Sequence, residues 1–491
     1  MIISLSVLVI TIIVSGTYAL YKAQLSKNIG VNTTTHGLAY YINYVKGTDI
    51  TAATLNPSTS YEGGASSDIE FWKKDDSYDI YGKIELTVNT IGTNLSNSPA
   101  IKYAVVNNGN VLKEGSLKGT TSGSKVTILK NLYLEQTKQI YTVYVWLDNS
   151  EELGNISNES LSISVDCTAS LQKELTAADT IISLYTSAEK VTVTNNSIKY
   201  NTAPSVSLMN DRLGGTTTDL DGGNIRYYGA SPNNYIYFNC SDYSNQTSST
   251  CETWRIIGVF DGKLKLIRNE SIGNLSWDYD KNDDSTKTTY DNDWSTATLQ
   301  KLLNGSYYNG SGIVTYYLGG SGPRTASLNM TSIGIKNETT RNMIVETTYN
   351  LGGWNSSSVY PNQIYGYERG TTVYTGRPPT WTGKIALAYP SDYGYAADFS
   401  QCNQTLNKYN DSTCTSNNWM KAILGTSSLG WLLTPYSDGA DRAWLMYLGG
   451  YVYAGTNNDF RVVPVLSLSS ELEIESWSGD GSSSNPYKLS A

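Results

Sequence analysis

At 491 residues the chain is long enough for two or three domains with cores of their own. Charged residues make up only 16% and the net charge of -9 is spread without runs, which argues against nucleic acid and anionic membrane as partners. The single histidine, His36, lies in a polar stretch, and no phosphate-binding loop, HExxH or GxSxG element occurs, so neither a metal nor a cofactor is expected.

Residues 1–14 are an uncharged apolar run that ends in Ser15-Gly16-Thr17-Tyr18-Ala19. This is the length of a signal-peptide core and short for a membrane span. Cleavage is expected after Ala19, behind the small residues Thr17 and Ala19. The first positive charges, Lys22 and Lys27, follow the run where a signal would carry them in front, so the alternative is an uncleaved N-terminal anchor. Either way residues 1–19 are the only membrane contact expected, and the remainder reads as extracellular or cell-surface protein.

Residues 20–168 read as a β-sandwich. Strand-length runs occur at 84–88, 102–106, 125–129, 141–147 and 161–165, with turns at Asn107-Asn108-Gly109-Asn110 and Ser122-Gly123-Ser124. Residues 169–200 form a connector in which Leu171, Leu175, Ala178, Ile181, Ile182, Leu184 and Tyr185 recur at helical spacing. Thr176 or Asp179 opens this helix, which is either a packed linker or part of the next domain's edge.

Residues 201–491 read as one α+β unit. Strands at 235–238, 254–260 and 263–267 form a meander, with Asp261-Gly262 as a two-residue hairpin turn. Helices are expected at 293–305 and 338–349, and strands at 431–433, 443–448, 451–453 and 462–468.

Five cysteines suit an oxidising compartment. Cys240 and Cys251 bracket one polar loop and Cys402 and Cys414 another, and both pairs are expected as local disulfides. Cys167 is left over, free or paired between chains. The sharper alternative for these thiols is a redox or copper-binding pair. A run of acidic and amide side chains, Asp278, Asp280, Asn282, Asp283 and Asp284 with Asp291 and Asp293, begins like a calcium loop. Asp283 stands where such a loop needs Gly and Thr289 where it needs Glu, which favours a solvated acidic loop.

Two resemblances add to this reading. Gly16-Thr17-Tyr18-Ala19-Leu20-Tyr21 ahead of a β-rich module resembles the start of camelysin and TasA-type exported proteins of Gram-positive bacteria. That likeness implies a jelly-roll sandwich, biofilm-matrix fibres and self-association through the N-terminal module. Residues 233–238, 251–260 and 276–278, with Tyr389-Pro390-Ser391-Asp392-Tyr393-Gly394-Tyr395-Ala396, Trp431-Leu432-Leu433-Thr434-Pro435, Arg461-Val462-Val463-Pro464-Val465-Leu466 and the close at 479–489, resemble a poorly characterised family of Firmicutes surface proteins. The family's layout is similar to the C-type-lectin-like fold of formylglycine-generating enzymes and of ligand-binding proteins.

That layout implies an exposed face over 436–461, with Tyr436, Asp438, Asp441, Arg442, Trp444, Tyr447, Tyr451, Tyr453, Asn457, Asn458 and Asp459 as ligand-binding residues. Their rings would stack on sugar or peptide surfaces while Asp, Asn and Arg supply directional bonds. Alternate members, Trp444 above all, would instead face the core. The 39 tyrosines against 5 phenylalanines suit a binding surface, although half-exposed strands use Tyr as well.

The expected fold class is therefore mainly β with a few helices, an N-terminal β-sandwich followed by an α+β C-type-lectin-like domain. The expected function is a non-enzymatic extracellular binding protein or adhesin for a glycan or protein ligand. The alternatives are a structural subunit of a biofilm or surface fibre and, since no cysteine follows Cys414, less readily a formylglycine-generating-type oxidase.

Overall fold

A computed structural model describes residues 23–25 and 41–490, apart from 52–54, 56, 157–158, 172, 192, 194–204, 213–222, 280–289, 321–323, 426–428, 448–449 and 476–478. The expected signal or anchor segment, His36, and Asp280, Asn282, Asp283 and Asp284 lie outside the described residues. No helix among the described residues is long and apolar enough to cross a membrane. The protein is mainly β with several sheets and few helices, and it divides into two compact units, Met1–Glu174 and Leu175–Ala491.

Two sheets make the first unit. One runs in the order Ala23–Leu25, Leu161–Ser170, Tyr81–Ile91, Lys125–Tyr133, with Ile50–Thr51 also on Leu161–Ser170. The other runs Ile42–Val45, Ala65–Lys73, Ile140–Asp148, Ile101–Asn107, Asn110–Ser116, with Pro57–Ser58 added in parallel to Ile140–Asp148. Strict alternation explains why they face each other. Ile84, Leu86 and Val88 from the first sheet and Tyr141, Val143 and Val145 from the second enter one shared apolar cluster. All five expected strands are present, each longer than its apolar run. Of the others, Ala65–Lys73 escaped the pattern because Ser66, Asp68 and Glu70 fill its outward positions, and Asn110–Ser116 because its exposed Val111 and Leu112 break the alternation. Cys167 lies on Leu161–Ser170 opposite Ile84, buried and free, and burial pushes its thiol well above the ordinary range.

The second unit opens with the helix expected in the connector, α1 (Ala177–Ser187). Thr176 and Asp179 close a reciprocal capping box, and the Ala177 amide donates to the Leu472 carbonyl. Ala178, Ile181 and Tyr185 are buried in the unit's main core, so the helix is part of this unit and not a free linker. An eight-stranded sheet carries Leu208–Asn210, Ile225–Tyr227, Glu252–Phe260, Lys263–Arg268, Val465–Leu468 and Ile344–Val345 in that order, flanked by Tyr235–Phe238 and Ile385–Ala386. Asp261 and Gly262, both at positive φ, make the expected hairpin turn. A five-stranded sheet carries Gly273–Ser276, Asp459–Val462, Gly430–Pro435, Arg442–Tyr447 and Gly450–Gly455.

Two helices and one strand differ from expectation. Asp293 does not cap a helix; its carboxylate accepts from Ser295, and α-helix begins only at Thr298, passing into a π turn at Leu303–Tyr307. The second helix stops at Met343, because the β-branched pair Ile344–Val345 joins the main sheet beside Val465–Leu468. The last strand is two, Asp459–Val462 and Val465–Leu468 in different sheets, parted at Pro464, which has no amide for a ladder. Both local disulfides, Cys240–Cys251 and Cys402–Cys414, are formed.

A charged cluster lies inside this unit. Arg226 pairs with Asp211 and with Asp392 at 2.9 Å, Lys265 takes the other oxygen of Asp392, and the rings of Phe260, Tyr365 and Tyr395 surround the guanidinium. Burial alone would raise the Asp392 pKa, but Lys265 and Arg226 outweigh it and hold the carboxyl below its usual range. Asp392 also caps α3 (Pro390–Tyr395) through the Tyr389 amide, so one carboxylate joins two sheet strands to a helix. Beside it Glu368, at the end of α2 (Pro361–Glu368), accepts from the Ser391 amide at 2.9 Å and hydroxyl at 2.5 Å.

Asp392→Ala would leave two buried cations short of a partner and should cost roughly 3–5 kcal/mol of unfolding free energy in denaturant titration; a loss under 1 kcal/mol would refute the role. Burial pushes Glu368 up to about 7 from 4.5. Because the folded pKa lies above the unfolded one, this group favours the fold most below pH 4.5 and loses about 3 kcal/mol as pH rises through 7. Glu368→Gln should flatten the decline in stability between pH 5 and 7.5, and parallel pH profiles for the two proteins would contradict the assignment.

Candidate functional site

The expected face lies on the hairpin Arg442–Tyr447 and Gly450–Gly455 and the turns beside it. Register places Trp444 opposite Tyr453 and Arg442 opposite Gly455. Mid-strand residues of Arg442–Tyr447 are buried on both sides while its ends are exposed, so the strand shows solvent only Arg442 and Tyr447.

Two of the expected ligand residues are buried. Trp444, 1% exposed, belongs to the core together with Leu432, Met446 and Val463, and its indole N–H is buried without an acceptor. Tyr436, 8% exposed, is a support beneath the face: its hydroxyl donates to the Asn355 carbonyl at 2.9 Å and its ring stacks under Tyr453 with centroids 4.1 Å apart. Burial, then the contact with Tyr453, raises the Tyr436 hydroxyl pKa. Tyr453 itself is 40% exposed, with the Arg442 guanidinium 5.4 Å from its ring centre. Arg442 lies 3.9 Å from Asp441, Asp438 is exposed, and Tyr447 is 48% exposed at the hairpin end.

The remaining candidates hold the turn. Asn458 donates to the Gly455 carbonyl at 2.8 Å and to the Asn457 side chain, and the Asn457 carbonyl accepts from Ser276. Asp459 is paired with Arg324. Tyr451 is placed on its strand, and its side chain lies outside the described residues. The open ring and cation of the face are therefore Tyr453 and Arg442, with Asp438 and Asp441 in the adjoining turn, while alternation along the strand sets Tyr447 on the other side of the sheet.

Residues that sequence reasoning missed hold this face in shape. Asn292 is fully buried, and its side-chain amide donates to the carbonyls of Tyr436 (3.0 Å), Gly439 (2.8 Å) and Arg442 (3.0 Å). Its backbone amide donates to Ala440, and its side-chain oxygen accepts from Arg377, which also reaches the Ala440 carbonyl at 3.2 Å. The two hydrogens of one side-chain amide are thus shared among three carbonyls of a tight turn, where the Arg442 carbonyl also accepts from the Tyr436 amide. The only sequence trace was the acidic loop itself. Asp278, buried, accepts from the amides of Asp291 and Thr298, both at 2.9 Å, and burial raises its pKa. Asp291 accepts from the Asp293 amide and pairs with Arg377 at 3.5 Å. The described part of this loop braces the face through hydrogen bonds. Among the described residues no group of three or more His, Cys, Asp or Glu is placed to hold a metal. A second stack, Trp354 on Tyr367 at 3.9 Å and nearly parallel, lies behind Tyr436.

No family model matches the chain, and no curated protein matches it. Among solved structures it is similar to the crystal structure of an HCR/D mutant, at 12% identity and a TM-score of 0.16, over 53% of this chain and 76% of that one. It is similar also to PBCV-1 VP54 fitted into a reconstruction of the virophage Sputnik, at 9% identity and 0.16, over 90% and 86%. A quasi-atomic model of the PBCV-1 virus capsid stands at 9% and 0.14, over 90% and 87%. Likenesses at these TM-scores carry no argument about fold or function.

Asn292→Ala would strand the carbonyls of Tyr436 and Gly439 and remove one of two donors to that of Arg442, and should destabilise by about 1–3 kcal/mol. Amide exchange should rise first at Tyr436 and Thr456, whose amides donate to the Arg442 and Asp441 carbonyls; protection there equal to wild type would remove Asn292 from this role.

Proposed function

We propose that this chain is a non-enzymatic extracellular or cell-surface binding protein with an N-terminal β-sandwich and a second unit, of C-type-lectin-like layout, that presents a glycan-binding face. The observation that carries the reading is the Tyr436–Tyr453 stack: one ring is fixed from below and the other is open to solvent beside Arg442. An aromatic face held in place loses little freedom on binding, and a neighbouring guanidinium, carboxylates and amides supply directional bonds to hydroxyls. A glycan is favoured over a protein ligand because the second unit exposes few large apolar side chains: Leu175, Ile313, Tyr447 and Tyr453 among the described residues. Two disulfides agree with an oxidising compartment. Oxidase chemistry of the formylglycine-generating kind gains no support, since four cysteines are bridged and Cys167 is buried.

A second reading, a structural subunit of a surface or biofilm fibre, rests on a different feature. Asn110–Ser116 is the outer strand of its sheet and exposes Val111 and Leu112, an edge open to pairing with another copy. Electron microscopy of the purified protein tests it, with fibres expected on this reading and dispersed particles against it.

Tyr453→Ala should lower binding to an array of immobilised neutral oligosaccharides at least tenfold, about 1.4 kcal/mol, with the melting temperature unchanged. Wild-type protein that binds none of them, or a variant that binds as well as wild type, would sink the glycan reading.

A further inference from the structure

We infer that the loop closed by Cys402–Cys414 is a second wall of the ligand face, and that its disulfide holds the hairpin bearing Tyr453 in position; the first half of this rests on the glycan-binding reading. The two cysteines are buried in the second unit's core with Leu406 and Tyr409, so the loop is anchored at its base and middle while its tip faces solvent. Its central turn, Leu406–Lys408, lies against the start of Gly450–Gly455. A β-carbon at Gly450 would stand 3.4 Å from the Asn407 carbonyl oxygen and 3.5 Å from the Asn410 β-carbon, which leaves the two backbones in contact.

The same loop is tied to the strap beneath the face. The amides of Leu406 and Asn407 donate to the carbonyls of Val359 (2.8 Å) and Ser357 (3.0 Å). A few residues earlier that strap receives the Tyr436 hydroxyl at Asn355. The loop therefore packs on the start of the strand that carries Tyr453 and is tied to the segment that holds Tyr436. The exposed tip offers Asn403, Gln404, Asn407, Lys408 and Asn410, the amide-rich chemistry that reads hydroxyl groups and adds contacts for a ligand longer than one ring. A disulfide across a loop of this size restrains the open ensemble, so the wall is pre-shaped before ligand arrives.

Two measurements on the full chain separate the two halves. Hydrogen exchange in Cys402→Ser/Cys414→Ser should run at least tenfold faster than wild type across the ladder of Arg442–Tyr447 and Gly450–Gly455, while Cys240→Ser/Cys251→Ser leaves that ladder protected. An unaltered ladder in the first variant, or equal loosening in both, overturns the bracing role whatever the ligand is. Should the bridge variant fail to fold, reduction of folded Cys240→Ser/Cys251→Ser, in which only Cys402–Cys414 can open, takes its place with the same expectation. For the wall, Asn407→Ala/Lys408→Ala should change affinity at least fivefold for oligosaccharides of three or more units on the array, with exchange left as in wild type. An unchanged profile overturns the wall while Tyr453→Ala still tests the face; no binding by wild type overturns the glycan reading and the wall together, and leaves the exchange result standing.

Discussion

A guanidinium sealed from water dictates much of the second unit. Arg226 has no exposed surface to speak of, and a cation in that position is tolerable only where carboxylates reach it. Asp211 and Asp392 do so from either side of Arg226 in the sequence, and Lys265 shares the second of them. The strands bearing Arg226 and Lys265, helix α3 and the end of Leu208–Asn210 therefore have to close around one point. Hydrophobic burial supplies most of the driving force, but it is indifferent to register at the level of single residues. The ion cluster is not: moving α3 by one residue would take Asp392 away from two cations at once.

The consequences extend outward from that point to the face. Helix α2 ends at Glu368, which is fastened to Ser391 next to Asp392, and the Glu368 carbonyl in turn accepts the Gly352 amide. Gly352 has no room for a side chain, since a β-carbon there would press on the carbonyls of Tyr367, Glu368 and Gly370. Two residues further on, Trp354 stacks on Tyr367, and Asn355 receives Tyr436. A rigid path of hydrogen bonds and ring contacts thus joins the buried charges to the ring beneath Tyr453. Asn292 and Arg377 fix the adjoining turn from the other side. A face held on both sides can present an aromatic surface with little entropy left to lose on binding.

Much of the β content was legible in the residues themselves. Alternation at Ile84, Leu86 and Val88 and at Tyr141, Val143 and Val145 marks an inward face whatever the partner sheet is, and Asp261-Gly262 marks a hairpin by its tolerance of positive φ. The short spacings of Cys240 to Cys251 and Cys402 to Cys414 likewise announced local bridges. Where reading failed, a distant contact overrode a local signal: Ile344–Val345 left a helical pattern for a sheet edge supplied by Val465–Leu468, and Asp293 exchanged a capping role for a turn. Sequence marked the hairpin of the face by its rings, yet it could not tell Trp444 from Tyr453. The two stand opposite each other in register, and only packing against Leu432 and Val463 makes one of them core.

What this sequence determined alone were properties carried by nearest neighbours along the chain: strand periodicity, turn chemistry, the capping box of Thr176 and Asp179, and two loop-closing disulfides. Only the tertiary structure decided which rings are open, that Asn292 holds a turn some 150 residues away, and that Arg226, Lys265 and Asp392 meet. The division has a physical cause. Local preferences act through torsions and near-neighbour hydrogen bonds that repeat with a period, whereas burial of polar and charged groups is fixed by partners brought from far along the chain, which leave no periodic trace.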